Sequence, residues 1–384
     1  MNQERYNIVL LGPSYPYRGG IASFTDRLAR EFNAAGHQTL LCTFKLQYPS
    51  FLFPGKTQYS SAASPQDLNI KRWVNTINPF NWIRIGRRIR DMQPDLIVVR
   101  YWMPFLAPAM GTILKLAKYN QHTKVICIAD NIIPHEKRLG DKLLTSFFIK
   151  SIDAFVVMSE QVKLDLRRLG FDKKTLLLPH PLFDHFGTQM DQNKAKTELH
   201  VPEDRPLLLF FGLIRPYKGL DLLIHAMSDE RIRKTGAMLL VAGEFYENKE
   251  KYTQLVQELN VEGSVRFHDE FIPEDKIQFY FSAADVLVQP YKTATQSGVT
   301  PLAMHFNLPM IVTQAGGLKE MVVDGETGVV TEINADSLAN GIMRFLHKGK
   351  QAFVAPIELR KSHYSWKGFM QSLLQDYKGL LSNT

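Results

Sequence analysis

The stretch FFGLIRPYKGLDLLI, residues 210–224, sets two cations, Arg215 and Lys218, at the joint between a strand-like apolar block and a helical pattern. Gly212 permits a tight turn after the strand. A helix starting near Gly219 would turn its unsatisfied N–H groups and positive dipole end toward the same loop. A guanidinium and an ammonium added there favour an anion through charge-assisted hydrogen bonds, and a pair of cations three residues apart suits a diphosphate. Two loop cations solvated by water fit this segment alone equally well.

Two further clusters carry polar chemistry. In TQSGVTP (295–301), Gln296 and Ser297 offer side chains, and the N–H groups of Gly298, Val299 and Thr300 at a helix start could hold a phosphate. In IADNIIPHE (128–136), Asp130, Asn131 and His135 follow a strand and are the candidate catalytic groups. The Asp130 carboxylate could accept a hydrogen bond from a hydroxyl or take its proton, and His135 could do either. Alternatively, Asp130 and Asn131 cap the next helix and His135 is a surface loop residue. No Asp-x-Asp triplet, HExxH, Walker-type GxxxxGK[ST] or GxSxG motif occurs. With a strong Gly-x-Gly-x-x-Gly fingerprint missing too, the common hydrolase, ATPase and dehydrogenase readings fall away and no cofactor is expected.

The elements that must hold these groups alternate. NIVLLGPS (7–14) reads as a strand, followed by the loop with Gly19 and Gly20 and a helix over 24–36. QTLLCTF, DLIVVRYW, KVICIAD and DAFVVMS are further short strands in the first half. After the polar stretch DHFGTQMDQNKAKTELHVPEDRP the pattern restarts, with strands at 207–214, 237–244, SVRFHDE, 284–290, 309–317 and 327–333. Strands alternating with helices predict an α/β chain with two parallel, doubly wound sheets, whose ligands bind beyond the carboxyl ends of the strands. The expected domains are 1–185 and 186–365, with residues 366–384 as a terminal helix.

Composition sets limits. A chain of 384 residues with 45% hydrophobic residues can bury two cores. Its formal charge of +8 points to acidic partners such as phosphates or an anionic membrane surface; with no recognition motif, nucleic acid is not expected. Cys42 and Cys127 sit in apolar strands without a CxxC or Cys/His cluster, as core thiols of a reducing compartment do. The N-terminus lacks signal-peptide features, so a cytoplasmic location is expected, with peripheral contact at the inner membrane face as an option.

These segments together resemble glycosyltransferase family 4, retaining enzymes of the GT-B fold with two Rossmann-like domains facing a cleft. FFGLIRPYKG resembles the family's donor-phosphate loop, and PSYPYRGGIASFTDRLAREFNAAGH its opening glycine loop and first helix. VVMSEQVKLDLRRLG, TQAGGLKEMVVDGETGVV and the C-terminal FVAPIELRKSHYSWKGFMQSLLQDYKGLL resemble later family segments in the right order. The resemblance implies that Arg215 and Lys218 grip the diphosphate of a sugar nucleotide without a metal. It also implies that Gly19, Gly20, Gly212 and Gly243 lie on the donor side, and that the last helix crosses back to the first domain. Family members commonly carry a His at the place of Asp130. They usually have two glutamates eight positions apart where this chain, in a branch with a TQSGV loop, has Ala294 and Leu302.

The implied activity is metal-independent transfer of a sugar, hexosyltransferase-like, from a nucleotide diphosphate to a hydroxyl of a saccharide or lipid-linked saccharide, as in polysaccharide biosynthesis. A nucleotide-sugar epimerase on the same fold and a catalytically impaired sugar-nucleotide-binding subunit are the rival readings. On the acceptor side, the aromatic loop YPSFLFPGK (48–56) and the segment NPFNWIRIGRRIRDM, with Trp82 and four arginines, suit docking at an anionic membrane. A core-covering loop and a solvated helix face fit them as well.

Overall fold

The computed structural model describes residues 4–49, 57–60, 62–133, 139–171, 174–295 and 297–382. The chain forms two compact units, Met1–Pro179 with Trp366–Thr384, and His180–Ser365.

In the first unit the strands are β1 (Asn7–Leu11), β2 (Gln38–Leu46), β3 (Ile70–Asn75), β4 (Leu96–Tyr101), β5 (Lys124–Ala129), β6 (Ala154–Val157) and β7 (Thr175–Leu177). They pair in parallel in the order β3-β2-β1-β4-β5-β6-β7. The interior strands are continuous apolar runs because helices cover both faces; LIVVRY of β4 is buried at every position. The connecting helices are α1 (Gly20–Ala34), α2 (Pro79–Met92), α3 (Ala107–Ala117), α4 (Asp141–Ile149) and α5 (Glu160–Arg168). Right-handed crossovers put α1 on one face and α2, α3 and α4 on the other. Small residues let the latter three close up. A Cβ on Gly86 of α2 would stand 2.7 Å from Leu116 Cβ, and one on Gly111 of α3 would stand 2.6 Å from Phe147 Cε1, so α3 is clasped between its neighbours.

In the second unit the strands are β8 (Leu207–Phe211), β9 (Met238–Ala242), β10 (Val265–His268), β11 (Val286–Gln289), β12 (Met310–Thr313) and β13 (Gly328–Thr331). Their order is β10-β9-β8-β11-β12-β13, again all parallel. The helices are α6 (Gln192–Glu198), α7 (Leu220–Met227), α8 (Glu230–Lys234), α9 (Glu250–Glu258), α10 (Ile277–Ala283), α11 (Val299–His305), α12 (Leu318–Met321), α13 (Ala335–Lys348) and α14 (Gln351–Lys361). In both sheets the order reverses beside the first strand, between β1 and β4 and between β8 and β11. That is where an open α/β sheet binds its ligand.

The last helix, α15 (Trp366–Leu381), belongs to the first unit. Trp366 and Phe369 meet the ring of Phe24 on α1 at centroid distances of 4.8 and 5.6 Å. Tyr377 packs edge-on against Tyr6, and buried Asp376 pairs with Lys174 at 2.7 Å. Among the described residues no helix is long and apolar enough to cross a membrane.

Three local readings of the sequence change. Strands β3 and β7 were not expected, and α1 begins at Gly20 rather than at Phe24. Gly19, at φ 104°, precedes α1 with no side-chain cap, so the usual sequence signal for a helix start is missing there.

Candidate active site

At the reversal point of the second unit, three loops press their backbones together. Gly243, just past β9 at φ 148°, lies so close to the β8 loop that a Cβ would stand 2.1 Å from the Gly212 carbonyl oxygen. Gly219, at φ 70°, lies equally close to the β11 loop, its Cβ position 2.0 Å from the Pro290 oxygen. Side chains are excluded from this junction, which therefore presents backbone, as a close approach to phosphate requires.

Over it lies Lys218, with Arg215 on the same loop. Lys218 is only 8% exposed, and its Nζ lies 3.1 Å from the Cβ position of Gly212 and 5.5 Å from the centroid of the Tyr291 ring. Arg215 is half-buried, with its guanidinium 5.0 Å from the Tyr246 ring centroid. Among the described residues no carboxylate pairs with either. Burial lowers the pKa of Lys218 below the ordinary lysine value, and the nearby positive charge of Arg215 adds to the effect. Gly212, Gly243, Lys218 and Val299 thus converge, the Val299 Cγ2 lying 3.6 Å from the Gly212 Cβ position.

Such a lysine links anion binding to protons. A bound phosphate restores its preference for the charged form, so binding takes up a proton at pH values between the depressed pKa of the free site and the raised pKa of the bound one. Affinity should then fall as pH rises toward the ordinary lysine range. Calorimetric titration with a nucleoside diphosphate at about pH 9, in buffers of different ionisation enthalpy, is expected to register proton uptake that Lys218→Met abolishes. Equal uptake in the two proteins would remove Lys218 from the phosphate site.

The loop after β11 is organised by Gln289, a buried residue that sequence reasoning passed over. Its Nε2 donates to Ser297 Oγ at 2.8 Å, and its Oε1 accepts from Thr300 Oγ1 at 2.9 Å. The Val299 N–H donates to Ser297 Oγ at 3.2 Å. The Ser297 side chain and the Val299 N–H, both expected to be available to a phosphate, are therefore engaged within the loop, and the Thr300 hydroxyl also serves its shape. Gly298 is exposed, and Gln296 lies outside the described residues. Ala294 and Leu302 are 8% and 3% exposed, so both positions are buried.

In the first unit the expectation for Asp130 changes. It does follow a strand, but it is 7% exposed and its carboxylate is paired with the equally buried Arg100 of β4. Arg100 also lies over the Phe24 ring, 4.1 Å from the centroid, and its Nε and Nη1 make no hydrogen bond. Burial lowers the pKa of Arg100, opposed by the charge of Asp130. A carboxylate whose charge is held by a guanidinium suits hydrogen-bond acceptance better than proton abstraction. The next described helix, α4, starts at Asp141 behind Gly140, and residues 134–138 before it lie outside the described residues. Asn131 is half-buried, and His135 lies outside the described residues. Gly19 and Gly20 stand at the uncapped start of α1. Arg100 was missed; the available signal was one cation inside an otherwise apolar buried strand, which demands a counter-charge.

Both cysteines are free and buried, and burial pushes the Cys42 thiol up to about 12. Among the described residues no group of three or more His, Cys, Asp or Glu side chains could hold a metal ion.

The architecture is that of the GT-B glycosyltransferases. Anabaena HepE, solved in complex with UDP, superimposes with a TM-score of 0.74 over 97% of this chain and 100% of its own, at 16% identity. In sequence, residues 18–182 match the family described as glycosyltransferase family 4, and residues 191–357 match glycosyl transferases group 1. Together the two matches cover most of the chain, which belongs with the glycosyltransferases of the GT-B fold. The D-inositol 3-phosphate glycosyltransferase of Corynebacterium efficiens is 30% identical over 40% of this chain and 38% of its own length. That of Frankia alni is 26% identical over 95% of each. The chain spans between 38% and 66% of the length of the first curated relatives it matches.

Proposed function

We propose that this protein is a retaining glycosyltransferase that moves a sugar from a nucleotide diphosphate donor to a hydroxyl of a saccharide or lipid-linked saccharide, in the cytoplasm. The observation that carries this reading is Lys218, an ammonium buried without a carboxylate partner among the described residues, over a backbone surface at the reversal point of a parallel sheet. The family and the UDP complex of HepE support it. The names of the relatives, glycosyltransferases acting on an inositol phosphate or on lipopolysaccharide, support a polyhydroxyl acceptor.

As the bond between the sugar's anomeric carbon and the phosphate oxygen breaks, its electron pair stays on the diphosphate. Lys218 and Arg215 hold that growing charge in a fixed, desolvated place, where it is worth far more than in water. The acceptor oxygen bonds to the anomeric carbon on the face the diphosphate leaves, and its proton passes to a base or to the departing phosphate. Asp130, oriented by Arg100, is assigned to hydrogen-bonding a sugar hydroxyl.

A thermal-shift screen against a panel of sugar nucleotides, followed by transfer assays with the best binder, tests the reading. The expected product keeps the anomeric configuration of the donor. An epimerised sugar formed without acceptor would identify an epimerase, and tight binding with no turnover across a broad acceptor panel a binding subunit. Because protein cations neutralise the diphosphate, activity is expected to survive EDTA. Complete loss restored by magnesium or manganese would overturn that assignment.

A further inference from the structure

Two helices in one layer of the first unit turn large apolar side chains to solvent. On α2, Phe80 is 85% exposed and Ile83 is 38% exposed. On α4, Leu143 is 75% and Phe147 41% exposed, and Leu139 just before the helix is fully exposed. Scattered exposed apolar residues need no explanation, but here they recur on helices α2 and α4, which α3 joins side by side through the close contacts at Gly86 and Gly111.

Charge is concentrated on the same side. Segment 70–92 holds Lys71, Arg72, Arg84, Arg87, Arg88 and Arg90 against Asp91 alone, a net +5 of the chain's +8. Arg90 pairs with Asp91, and Arg88 lies over the Trp73 ring. Arg84 and Arg87 have no carboxylate partner among the described residues, and with Phe80 and Ile83 they line one open groove along α2.

We propose that the outer face of the α2–α3–α4 layer docks on an anionic lipid surface. Phe80, Ile83, Leu143 and Phe147 enter the boundary between headgroups and acyl chains, while Arg84 and Arg87 meet the headgroups. Apolar side chains beside unpaired cations match such a surface on both counts. A second copy of the chain fits less well, because a two-fold interface would set the arginines of one copy against those of the other. A nucleic acid would leave the apolar side chains in water. The proposal is independent of the transfer reaction, and its test contains neither sugar nucleotide nor acceptor.

The test is sedimentation of the full chain with vesicles of phosphatidylglycerol mixed with phosphatidylcholine, and with vesicles of phosphatidylcholine alone. Binding to the anionic vesicles only, weakened by salt, is expected. Arg84→Glu with Arg87→Glu should reduce partitioning roughly tenfold or more, and Phe80→Ser with Leu143→Ser should reduce it on a similar scale while leaving the melting temperature unchanged. The proposal fails if the protein does not partition onto anionic vesicles, or if both double variants partition as the parent does. It also fails if the parent is a dimer in solution that Phe80→Ser with Leu143→Ser dissociates, since the face would then be filled by a second copy.

Discussion

Lys218→Met is expected to make the unliganded protein more stable and nearly inactive. The parent buries an ammonium to 8% exposure with no carboxylate beside it among the described residues, and burial already lowers its pKa. Methionine keeps the length and the apolar stem of the side chain and removes the charge, so a gain of about 1 kcal/mol, or a few degrees of melting temperature, should follow. The same change removes a preorganised cation from the leaving diphosphate. A fall in kcat/KM of roughly 30- to 1000-fold is expected, equivalent to about 2–4 kcal/mol of transition-state stabilisation, together with weaker nucleotide binding. Opposite movement of stability and activity is the signature of a functional group held at a structural cost. A lower melting temperature with unchanged nucleotide affinity and kinetics would instead make Lys218 a structural residue.

Leu302→Glu should destabilise the fold of the second unit. Leu302 is 3% exposed on α11, next to Ala303 and Met304, which are fully buried. The substitution loses the burial of the leucine and places a carboxyl in apolar surroundings, a combined cost of roughly 3–5 kcal/mol. Its sign with pH is defined. Burial raises the pKa of an acid, so the variant should bind more protons folded than unfolded at mildly acidic pH, and its deficit should shrink as pH falls below the raised value toward the ordinary glutamate value. Thermal melts of parent and variant across this range test the point. Should the site still be open to a ribose, the variant would instead bind nucleotide more tightly at unchanged melting temperature.

The fold was legible where a short sequence window contains the physics. Strands buried on both faces, such as LLLFF of β8 and MLLVA of β9, read as apolar runs, and the glycines between them mark the turns. Edge strands escape that logic. In IKRWVN of β3 only Val74 is fully buried, and β7 has three half-buried residues, so neither carries a strong pattern. At the site, Arg215 and Lys218 were visible because two cations beside a helix start stand close in sequence. The Arg100–Asp130 pair joins residues 30 apart, and the Gln289 network looks like an ordinary strand end until the loop folds over it. Both depend on non-local geometry that neighbouring residues do not encode.

The return of α15 to the first unit has a consequence for how the protein is made. Phe24, beneath Trp366 and Phe369, and Tyr6, beside Tyr377, are covered by residues the ribosome adds only after the whole of His180–Ser365. At roughly 5–20 residues per second, the first unit waits on the order of ten seconds or longer with its last helix missing, while the second has everything it needs to fold first. The unit begun first is therefore finished last, and its unfinished aromatic surface is open to chaperones throughout that interval.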